Sequence, residues 1–492
     1  MVDIPGVLRG SGASSVARSW VAGHNREYSP QITAVIVAAI DIFTILLAAS
    51  FAFMLALGVH APDYERYSYV SMGAAALILT ALYHFELYDF DVLDPPHGQL
   101  GKIIVASGLP LFIWYVITLT FSTQTPYQRS WWYTFVCICI AAICIERWVV
   151  YRALLHLARS GAISRNVVVV GDGPQRDLVL ETLRDAQRPW IRTLGVFDNQ
   201  RDHMTAIPRA SAWLGTPKDL VEFARHVRVD DVVLVPPRTA DTQFTEAVHA
   251  TRSLAINLQL SASPPCRSLS TERMAWRNGA GFLTLSSKPL DGWGLALKLI
   301  EDKLIAATVL LFLLPLFALI ALAIKLDSPG PVFFCQRRIG FNNKVIEVYK
   351  FRTMFHAHRD RDGESLTIKS DPRVTSVGRF LRRTSADELP QLLNVLMGSM
   401  SIVGPRPHAI RARAGGKLYG EAVPRYAERH KVKPGITGWA QVNGWRGETA
   451  TEEELRRRIE CDIYYLENWS ILFDLRIMLR TIIAIIAGKG AY

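Results

Sequence analysis

The run Leu304-Ile-Ala-Ala-Thr-Val-Leu-Leu-Phe-Leu-Leu-Pro-Leu-Phe-Ala-Leu-Ile-Ala-Leu-Ala-Ile324 contains 21 residues and no charge, and it decides which class of fold this chain adopts. About 20 apolar residues are enough to span a bilayer. Pro315 lies near the centre, where a proline removes a helix hydrogen bond and clashes with the preceding turn. Two topologies are therefore open: a spanning helix, or a broken, re-entrant helix that enters and leaves the membrane on one side.

Four more apolar stretches precede this run, and each approaches the length of a spanning helix. They are Ile32–Leu57, Tyr67–Tyr83, Ile103–Phe121 and Trp131–Leu155. They predict a four-helix transmembrane bundle over residues 31–157, after a tail of residues 1–30. Lysine and arginine are concentrated around the two ends of this region and are sparse in the first and third loops, so both ends should face the cytoplasm.

A small α/β domain is predicted over residues 164–262, where strand and helix patterns alternate as in a doubly wound, Rossmann-like fold. Its first strand runs into Gly171-Asp-Gly173, which begins like a dinucleotide-binding turn, but Arg176 stands where the third glycine belongs. The domain contains no tyrosine, which argues against a membrane-anchored, NAD-dependent nucleotide-sugar dehydratase or epimerase. A regulatory nucleotide stays open, and a structural or dimerising role is favoured. Residues 263–296, rich in Ser, Pro and Gly, are interpreted as a linker.

The composition of the chain indicates which classes of molecule it binds. Half of the residues are hydrophobic and the net charge is +11. Residues 325–492 hold 28 Lys and Arg against 18 Asp and Glu, so +10 of that charge lies in the last third. A basic block beside membrane segments suits lipid headgroups and phosphorylated substrates rather than nucleic acid. The six cysteines show no CxxC pair and no metal-ligand spacing, so no disulfide framework is expected.

The stretch Ser385-Ala-Asp-Glu-Leu-Pro-Gln-Leu places two carboxylates side by side, Asp387 and Glu388. Taken alone, Ser385 and Glu388 match the S-x-x-E capping box of a helix start. The surrounding cations favour chemistry instead, because a pyrophosphate held beside Mg²⁺ needs Arg and Lys to neutralise its charge. The candidate substrate-binding residues are Lys350, Arg352, Arg373, Arg383 and Arg406.

Residues 297–492 resemble the bacterial sugar transferase family, the monotopic polyprenyl-phosphate hexose-1-phosphate transferases. Seven blocks in the family's order carry the resemblance, and the bundle and α/β domain ahead of them match the long form of the family. The blocks begin at Leu326 (LDSPGPVFF), Gln336 (QRRIG), Lys350 (KFRTM), Asp371 (DPRVT), Ser385 (SADELPQLLNV), Ser401 (SIVGPRP) and Lys433 (KPGITGWAQVNG).

The resemblance implies a reaction in two steps. Asp387 would attack the β-phosphate of a UDP-sugar, expel UMP and carry the phosphosugar, which undecaprenyl phosphate would then take up. Glu388 would assist in metal binding or in removing a proton from the lipid phosphate. The expected cofactor is Mg²⁺, with Asp387 as its protein ligand, and the five cations named above would bind substrate.

The same resemblance favours one topology. UDP-sugars are made in the cytoplasm, and only the re-entrant form of residues 304–324, broken at Pro315, keeps Asp387 on that side. The expectation is a multi-pass protein of the bacterial inner membrane whose catalytic domain, residues 297–492, lies on the cytoplasmic face among membrane lipids. An inactive assembly scaffold is disfavoured, because it would need neither the acidic pair nor the arginines. Whether the chain forms a homodimer stays open.

Donor choice depends on smaller features. Pro407-His-Ala409 and the segment 430–449 favour UDP-glucose, and hence a first step in exopolysaccharide or capsule assembly; UDP-galactose or another UDP-sugar is the alternative. Many relatives carry Glu where this chain has His408, which puts any role of that carboxylate in doubt here.

Overall fold

The structure is a computed structural model of the chain. It describes residues 30–58, 64–88, 96–121, 129–160, 163–185, 190–198, 212–236, 248, 251, 254–262, 274–277, 280–290, 292–355, 371–423, 425–445, 447 and 451–486. The predicted tail up to residue 29 lies outside these. The chain divides into two compact units, the membrane bundle with residues 188–192 and the remainder, and each is described by itself.

The bundle consists of four helices in the part of the chain that the structure describes: α1 (Pro30–Leu57), α2 (Tyr64–His84), α3 (Pro96–Phe121) and α4 (Arg129–Arg159). Three of them, α1, α3 and α4, are long and apolar enough to cross a membrane. Helix α2 has 21 residues but a more polar composition, and it packs against α1 and α3. Residues facing away from the bundle are largely apolar, among them Phe43, Leu47 and Phe112, as expected for a surface that contacts lipid tails.

Charged groups inside the bundle are paired. The Arg147 guanidinium donates to Asp41 Oδ2 at 2.7 Å, and the Tyr88 hydroxyl donates to the same oxygen at 2.6 Å. Asp41 is completely buried. A buried charge in a membrane segment is costly unless it is paired, so this cluster fixes how α1 and α4 pack.

The α/β domain contains, in chain order, β1 (Arg165–Val170), α5 (Gly173–Asp185), β2 (Ile191–Phe197), β3 (Trp213–Gly215), α6 (Leu220–His226), β4 (Asp231–Leu234) and β5 (Asn257–Ala262). These five strands lie side by side in the order β3-β2-β1-β4-β5. Strand β1 is parallel to β4, β4 to β5, and β2 to β3. Valines and leucines of β1 and β4 are almost completely buried, which explains why both strands are continuous apolar runs.

The segment interpreted as a linker differs from that prediction. It carries β6 (Met274–Arg277) and β7 (Ala280–Ser286), which form an antiparallel hairpin, and β7 pairs with β5. The prediction missed these strands because they are short and lie among Ser, Pro and Gly residues. Their stability comes from pairing with the edge of the sheet. The sheet therefore extends beyond residue 262.

The decisive apolar run lies within a single helix, α7 (Gly292–Asp327), of 36 residues with Pro315 inside it. One face of α7 packs on the domain that follows, through Ala306, Ile320 and Ile324. The other face is strongly exposed; Phe312 is 78% exposed. Its apolar surface is thus split between protein and the surroundings.

The described residues of the remaining domain form three hydrophobic clusters, two of which include residues of α7. Its longest strands, β8 (Phe333–Ile339) and β9 (Val345–Phe351), form an antiparallel hairpin. The other strands are β10 (Ser401–Val403), β11 (Arg413–Ala414), β12 (Lys417–Leu418) and β13 (Gly435–Thr437). The helices are α8 (Ser376–Thr384), α9 (Gln391–Met397), α10 (Tyr419–Ala422), α11 (Trp439–Val442), α12 (Glu452–Glu467) and α13 (Ile471–Ile486).

Candidate active site

The acidic pair lies on a 3-10 turn, Ala386–Glu388, between α8 and α9. Ser385 ends α8 in a left-handed conformation with φ 56°, and its backbone N–H donates to Arg382 O. Its side chain makes no capping hydrogen bond, so the capping-box interpretation of Ser385 and Glu388 is wrong. The sharp turn at Ser385 instead directs the next residues away from the axis of α8.

Glu388 is held by two cations. Lys350 Nζ, on β9, donates to Oε1 at 2.9 Å. Arg406 binds both carboxylate oxygens, with NH2 to Oε1 at 2.5 Å and NH1 to Oε2 at 3.0 Å. Burial opposes the charged form, but the Arg406 and Lys350 charges outweigh it and hold the pKa of Glu388 well below its usual range. Glu388 is therefore a carboxylate at neutral pH and a weak base.

Asp387 differs from its neighbour, although it is half-buried in the same turn. Burial raises its pKa, and the adjacent Glu388 charge acts in the same direction. The Lys350, Arg382 and Arg406 charges oppose this rise without cancelling it. Two adjacent carboxylates thus have pKa values pushed apart, a feature typical of acid–base and nucleophilic sites. Asp387 is the more basic of the two.

Arg406 follows β10, which pairs in parallel with β13. A Cβ added at Gly435 would lie 2.1 Å from Gly404 N, so neither the Val-Gly-Pro-Arg nor the Pro-Gly-Ile-Thr segment tolerates a side chain at their contact. The Gly404 N–H donates to Thr437 O at 2.8 Å. The close packing of these two glycine-containing segments therefore fixes the position of the loop that follows β10 and carries Arg406.

A buried arginine holds that loop from behind. Arg429, 1% exposed, donates to Arg406 O at 2.7 Å, contacts His408 Nδ1 at 2.8 Å and pairs with Asp462 at 2.7 Å. Burial lowers the pKa of His408 well below its usual range, and the Arg429 charge adds to the effect. A neutral imidazole can accept the arginine hydrogen bond at Nδ1, so His408 serves as an acceptor for Arg429.

The other predicted substrate-binding residues occupy different places. Arg352 is buried and donates to Ser328 O at 2.6 Å and Ile324 O at 3.1 Å, so its guanidinium caps the C-terminal end of α7. Arg373 forms a bidentate pair with Asp371. Arg383 is exposed on α8. The structure brings Lys350 and Arg406 to the acidic pair, while Arg352 already has backbone partners.

Two arginines near the pair were not among the candidates. Arg382 acts electrostatically on Asp387 and donates to Thr353 Oγ1 at 2.9 Å. Arg338, on β8, lies near Arg406 and Glu388. Burial lowers its pKa to about 10, and the Arg406 charge acts in the same direction, while the Glu388 charge opposes the shift. The sequence offered a reason to consider both, because Arg338 lies in the block that begins at Gln336 and Arg382 lies a few residues before the acidic pair.

Suitability for a metal depends on which carboxylate oxygens are available. Within the described residues no group of three or more His, Cys, Asp or Glu side chains is arranged to hold a metal ion. Mg²⁺ in phosphoryl-transfer sites takes one or two carboxylates and completes its shell with substrate phosphates and water. Both oxygens of Glu388 are engaged by cations, which leaves Asp387 as the carboxylate that fits this role.

In the α/β domain, a buried arginine follows the glycine turn that begins at Gly171. Arg176 is 2% exposed and donates to Asp198 Oδ2 at 2.9 Å, just beyond the end of β2. Dinucleotide-binding domains use an acidic residue at that position for the ribose hydroxyl. Here the carboxylate pairs with an internal arginine, which argues further against the NAD-dependent alternative.

Comparison with known proteins gives two family matches. The model described as bacterial sugar transferase matches residues 293–488, and one described as CoA-binding domain matches residues 84–262. The second match overlaps the last two bundle helices and the α/β domain.

Two curated relatives match about four fifths of the chain, and a third matches less than half of it. It is 37% identical over 403 residues to an undecaprenyl-phosphate glucose phosphotransferase of Komagataeibacter xylinus, covering 81% of this chain and 71% of that protein. It is 36% identical over 394 residues to a UDP-glucose:undecaprenyl-phosphate glucose-1-phosphate transferase of Escherichia coli strain K12, covering 80% and 81%. An exopolysaccharide production protein of Rhizobium leguminosarum bv. phaseoli is 52% identical over 197 residues, covering 40% and 98%.

Proposed function

The chain belongs to the bacterial sugar transferase family, and from that premise we propose that it transfers glucose-1-phosphate from UDP-glucose to undecaprenyl phosphate and releases UMP. This reaction would start assembly of an exopolysaccharide or capsule repeat unit. The observation that carries the proposal is the contrast within the acidic pair: Glu388 is bound by two cations, whereas Asp387 is the more basic carboxylate beside them.

In the first half-reaction an Asp387 carboxylate oxygen forms a bond to the β-phosphorus of the UDP-sugar. The bond from that phosphorus to the bridging oxygen breaks, and UMP leaves with the electron pair. A raised pKa makes Asp387 a better nucleophile than an ordinary carboxylate, and covalent catalysis divides one difficult transfer into two. Lys350 and Arg406 stand where they can offset the negative charge of the phosphates.

In the second half-reaction an oxygen of undecaprenyl phosphate attacks the same phosphorus, and the bond to Asp387 breaks. The sugar is now attached to the lipid through a pyrophosphate. Glu388 is a poor proton acceptor because its pKa is held low. We therefore assign it mainly to holding Lys350 and Arg406 in place, rather than to taking a proton from the lipid.

Mg²⁺ is the proposed cofactor, with Asp387 as its protein ligand. When bound, the metal would supply charge neutralisation for the pyrophosphate of the donor. Arg382 and Arg338 would contribute to the same end from the protein side, because both act on the charges of the acidic pair. Exclusion of water protects the phosphosugar on Asp387 from hydrolysis.

The proposed topology is re-entrant, with the catalytic domain on the cytoplasmic face of the bacterial inner membrane. Before Pro315, Asp302 accepts hydrogen bonds from Ser401 and from the backbone of Ile402, both on β10. After Pro315, Ile324 O accepts from Arg352, directly after β9. A straight helix would separate Asp302 from Ile324 by about 33 Å, roughly one hydrocarbon core.

Asp302 contacts β10, and Ile324 contacts the residue after β9. Both ends of the apolar run therefore lie on the same side of the membrane if β9 and β10 lie on the same side. Asn394 joins them: its side chain bonds Tyr349 N and Glu347 O of β9, and its carbonyl accepts from Met400 N, next to β10. This supports entry and return on the same face, with exposed apolar residues of α7 in the lipid. Helix α13 adds an exposed apolar stripe of Leu472, Leu475, Leu479 and Ile482, which suits the interface plane.

For the α/β domain we propose a Rossmann-like fold, because the order β3-β2-β1-β4-β5 is that of doubly wound sheets. Its favoured role is structural or dimerising, and a homodimer is part of this proposal. Burial of Arg176 against Asp198 is the support for a domain without a dinucleotide.

The decisive test measures transfer of radiolabel from UDP-glucose to undecaprenyl phosphate by the purified full chain, with and without Mg²⁺. Asp387→Asn should abolish transfer, and Glu460→Gln, an exposed acid on α12, serves as a matched control with full activity. Retention of transfer by Asp387→Asn would refute the nucleophile assignment. Parallel reactions with UDP-galactose and UDP-N-acetylglucosamine decide the donor: preference for either over UDP-glucose would overturn the glucose assignment.

A further inference from the structure

The β8–β9 hairpin carries or holds both cations that bind Glu388. Lys350 is part of β9. On the other strand, Arg338 NH1 donates to Pro407 O at 3.1 Å, and Ile339 N donates to His408 O at 3.1 Å. Those two hydrogen bonds tie β8 to the residues that directly follow Arg406. A displacement of the hairpin would therefore move Lys350 and Arg406 together.

The tip of this hairpin is a tight turn with two consecutive residues in the left-handed region, Asn342 at φ 52° and Asn343 at φ 57°. Gly340 N donates to Lys344 O at 2.8 Å and closes the turn. Asparagine is among the few side chains that adopt this backbone conformation at low cost. The side-chain amide of asparagine can also form hydrogen bonds with neighbouring groups. Here the amides of Asn342 and Asn343 have partners in two different domains.

One of them joins the hairpin to the α/β domain. Asn342 Oδ1 accepts a hydrogen bond from Ala255 N at 2.8 Å. Ala255 precedes β5 and is buried, so its N–H has this side chain as partner in a part of the domain with little access for water. The contact is at the edge where β5 begins, opposite to the edge that carries the Gly171 turn after β1.

The other amide joins the hairpin to the catalytic domain. Asn343 Oδ1 lies 2.5 Å from His430 Nδ1, and His430 follows Arg429, which holds Arg406 O. The turn is thus fixed on one side to the α/β domain and on the other to the residues that support Arg406. A strand rises about 3.3 Å per residue, so Lys350 lies roughly 16 Å along β9 from Val345, the first residue after the turn.

We propose that the α/β domain positions both cations of the active site through the β8–β9 hairpin, with Asn342 as the positioning residue that joins the two domains. This role for the domain rests on the transferase activity proposed above, but it needs no ligand in the α/β domain. It makes that domain part of the machinery that keeps Lys350 and Arg406 against Glu388.

The test compares two substitutions at one position in the purified full chain. Asn342→Gly keeps the left-handed backbone and removes the acceptor, whereas Asn342→Asp keeps both an acceptor oxygen and tolerance of this conformation. Hydrogen–deuterium exchange at residues 254–257 reports the contact, and transfer of glucose-1-phosphate reports the site. Asn468→Gly, at an exposed asparagine of the same domain that lies outside the quoted sequence blocks, is the control.

Asn342→Gly should speed exchange of the Ala255 amide and lower kcat by about three- to tenfold, the usual effect of one lost hydrogen bond. Asn342→Asp should do neither. A purely structural role of Asn342 would instead lower the amount of folded protein and leave kcat per folded molecule unchanged, so the yield of folded chain is measured beside kcat.

Unchanged exchange in Asn342→Gly would overturn the contact, and faster exchange with unchanged kcat would overturn the coupling. If the unsubstituted chain transfers no sugar phosphate, the proposed function fails, whereas the exchange experiment still tests the contact between the domains.

Discussion

Asp462 is the carboxylate that balances two buried arginines, and its replacement by asparagine is the most severe single change that we predict for the catalytic domain. Asp462 is 2% exposed, and its Oδ2 accepts from Arg429 Nε at 2.8 Å and lies 2.7 Å from Arg429 NH2. The Arg458 charge acts on it as well. Asp462→Asn keeps the size of the side chain and removes its charge, which leaves Arg429 and Arg458 buried without a counter-charge.

The magnitude follows from the contacts. Arg429 Nε donates one hydrogen bond to this carboxylate, and Arg429 NH2 forms an ion pair with the same oxygen. One hydrogen bond to a charged group contributes about 1.5–3 kcal/mol, and breaking a buried ion pair by removing one partner costs about 3–5 kcal/mol, so the expected loss lies in the latter range. For a domain of this size 1 kcal/mol corresponds to about 2–4 °C in Tm, so we expect the Tm of the catalytic domain to fall by roughly 10 °C.

Scanning calorimetry of the purified chain in detergent measures this change. Arg429→Met should lower Tm less, because Arg458 then remains with Asp462, but it should lower kcat more than Tm predicts, since Arg406 O loses its donor. Glu453→Gln, an exposed acid on the same helix α12, is the matched control and should leave Tm unchanged. A Tm for Asp462→Asn within about 2 °C of the unsubstituted chain, where an exposed pair would leave it, would refute the view that this network is held by its charge balance.

Three further results are expected. Arg382→Gln removes a charge that lowers the pKa of Asp387; the active carboxylate then protonates at higher pH, so the acid limb of kcat/KM should move up, and an unchanged limb would contradict the assignment. Arg352→Met should lower the yield and thermal stability of the folded chain by uncapping α7, while KM for the UDP-sugar stays the same; a large rise in KM would restore the substrate-binding role. Arg147→Met leaves Asp41 without its cationic partner inside the bundle and should sharply lower the amount of folded protein in membranes, measured by size-exclusion chromatography, whereas Arg129→Met, at the exposed first residue of α4, should not.

The sequence predicted the parts of this fold that depend on local pattern. Long apolar runs predicted the membrane helices, and buried valine runs such as Asn166–Val170 predicted the parallel strands. The quoted motifs also singled out Asp387, Glu388, Lys350 and Arg406, because they contain the residue types that phosphates require; the structure brings these side chains together, and their catalytic roles stay predictions. Strands β6 and β7 were missed, since such short segments depend on a sheet edge that no local window contains.

Arginine roles were harder to predict because they depend on distant partners. Lys350 and Arg352 are two residues apart and share a strand pattern, but β9 ends at Phe351. Arg352 consequently turns to the end of α7, and only Lys350 reaches Glu388. Arg429 lies in a charged stretch, Tyr-Ala-Glu-Arg-His, that is typical of an exposed surface, yet its acceptors come from residues 406, 408 and 462. Nothing in local spacing links those three.

Charge balance explains why the acidic pair needs both of its members. Among the residues that the structure describes, four cations act on the pair, Lys350, Arg406, Arg382 and Arg338, against the two carboxylates; four minus two leaves +2. In the proposed reaction, that excess would suit the pyrophosphate of the donor and, after UMP leaves, the phosphate of the lipid. Without Glu388 we expect the cations to repel one another and move apart. In this proposal Glu388 holds Lys350 and Arg406 between half-reactions, so that Asp387 could act as the nucleophile while its neighbour remains charged throughout.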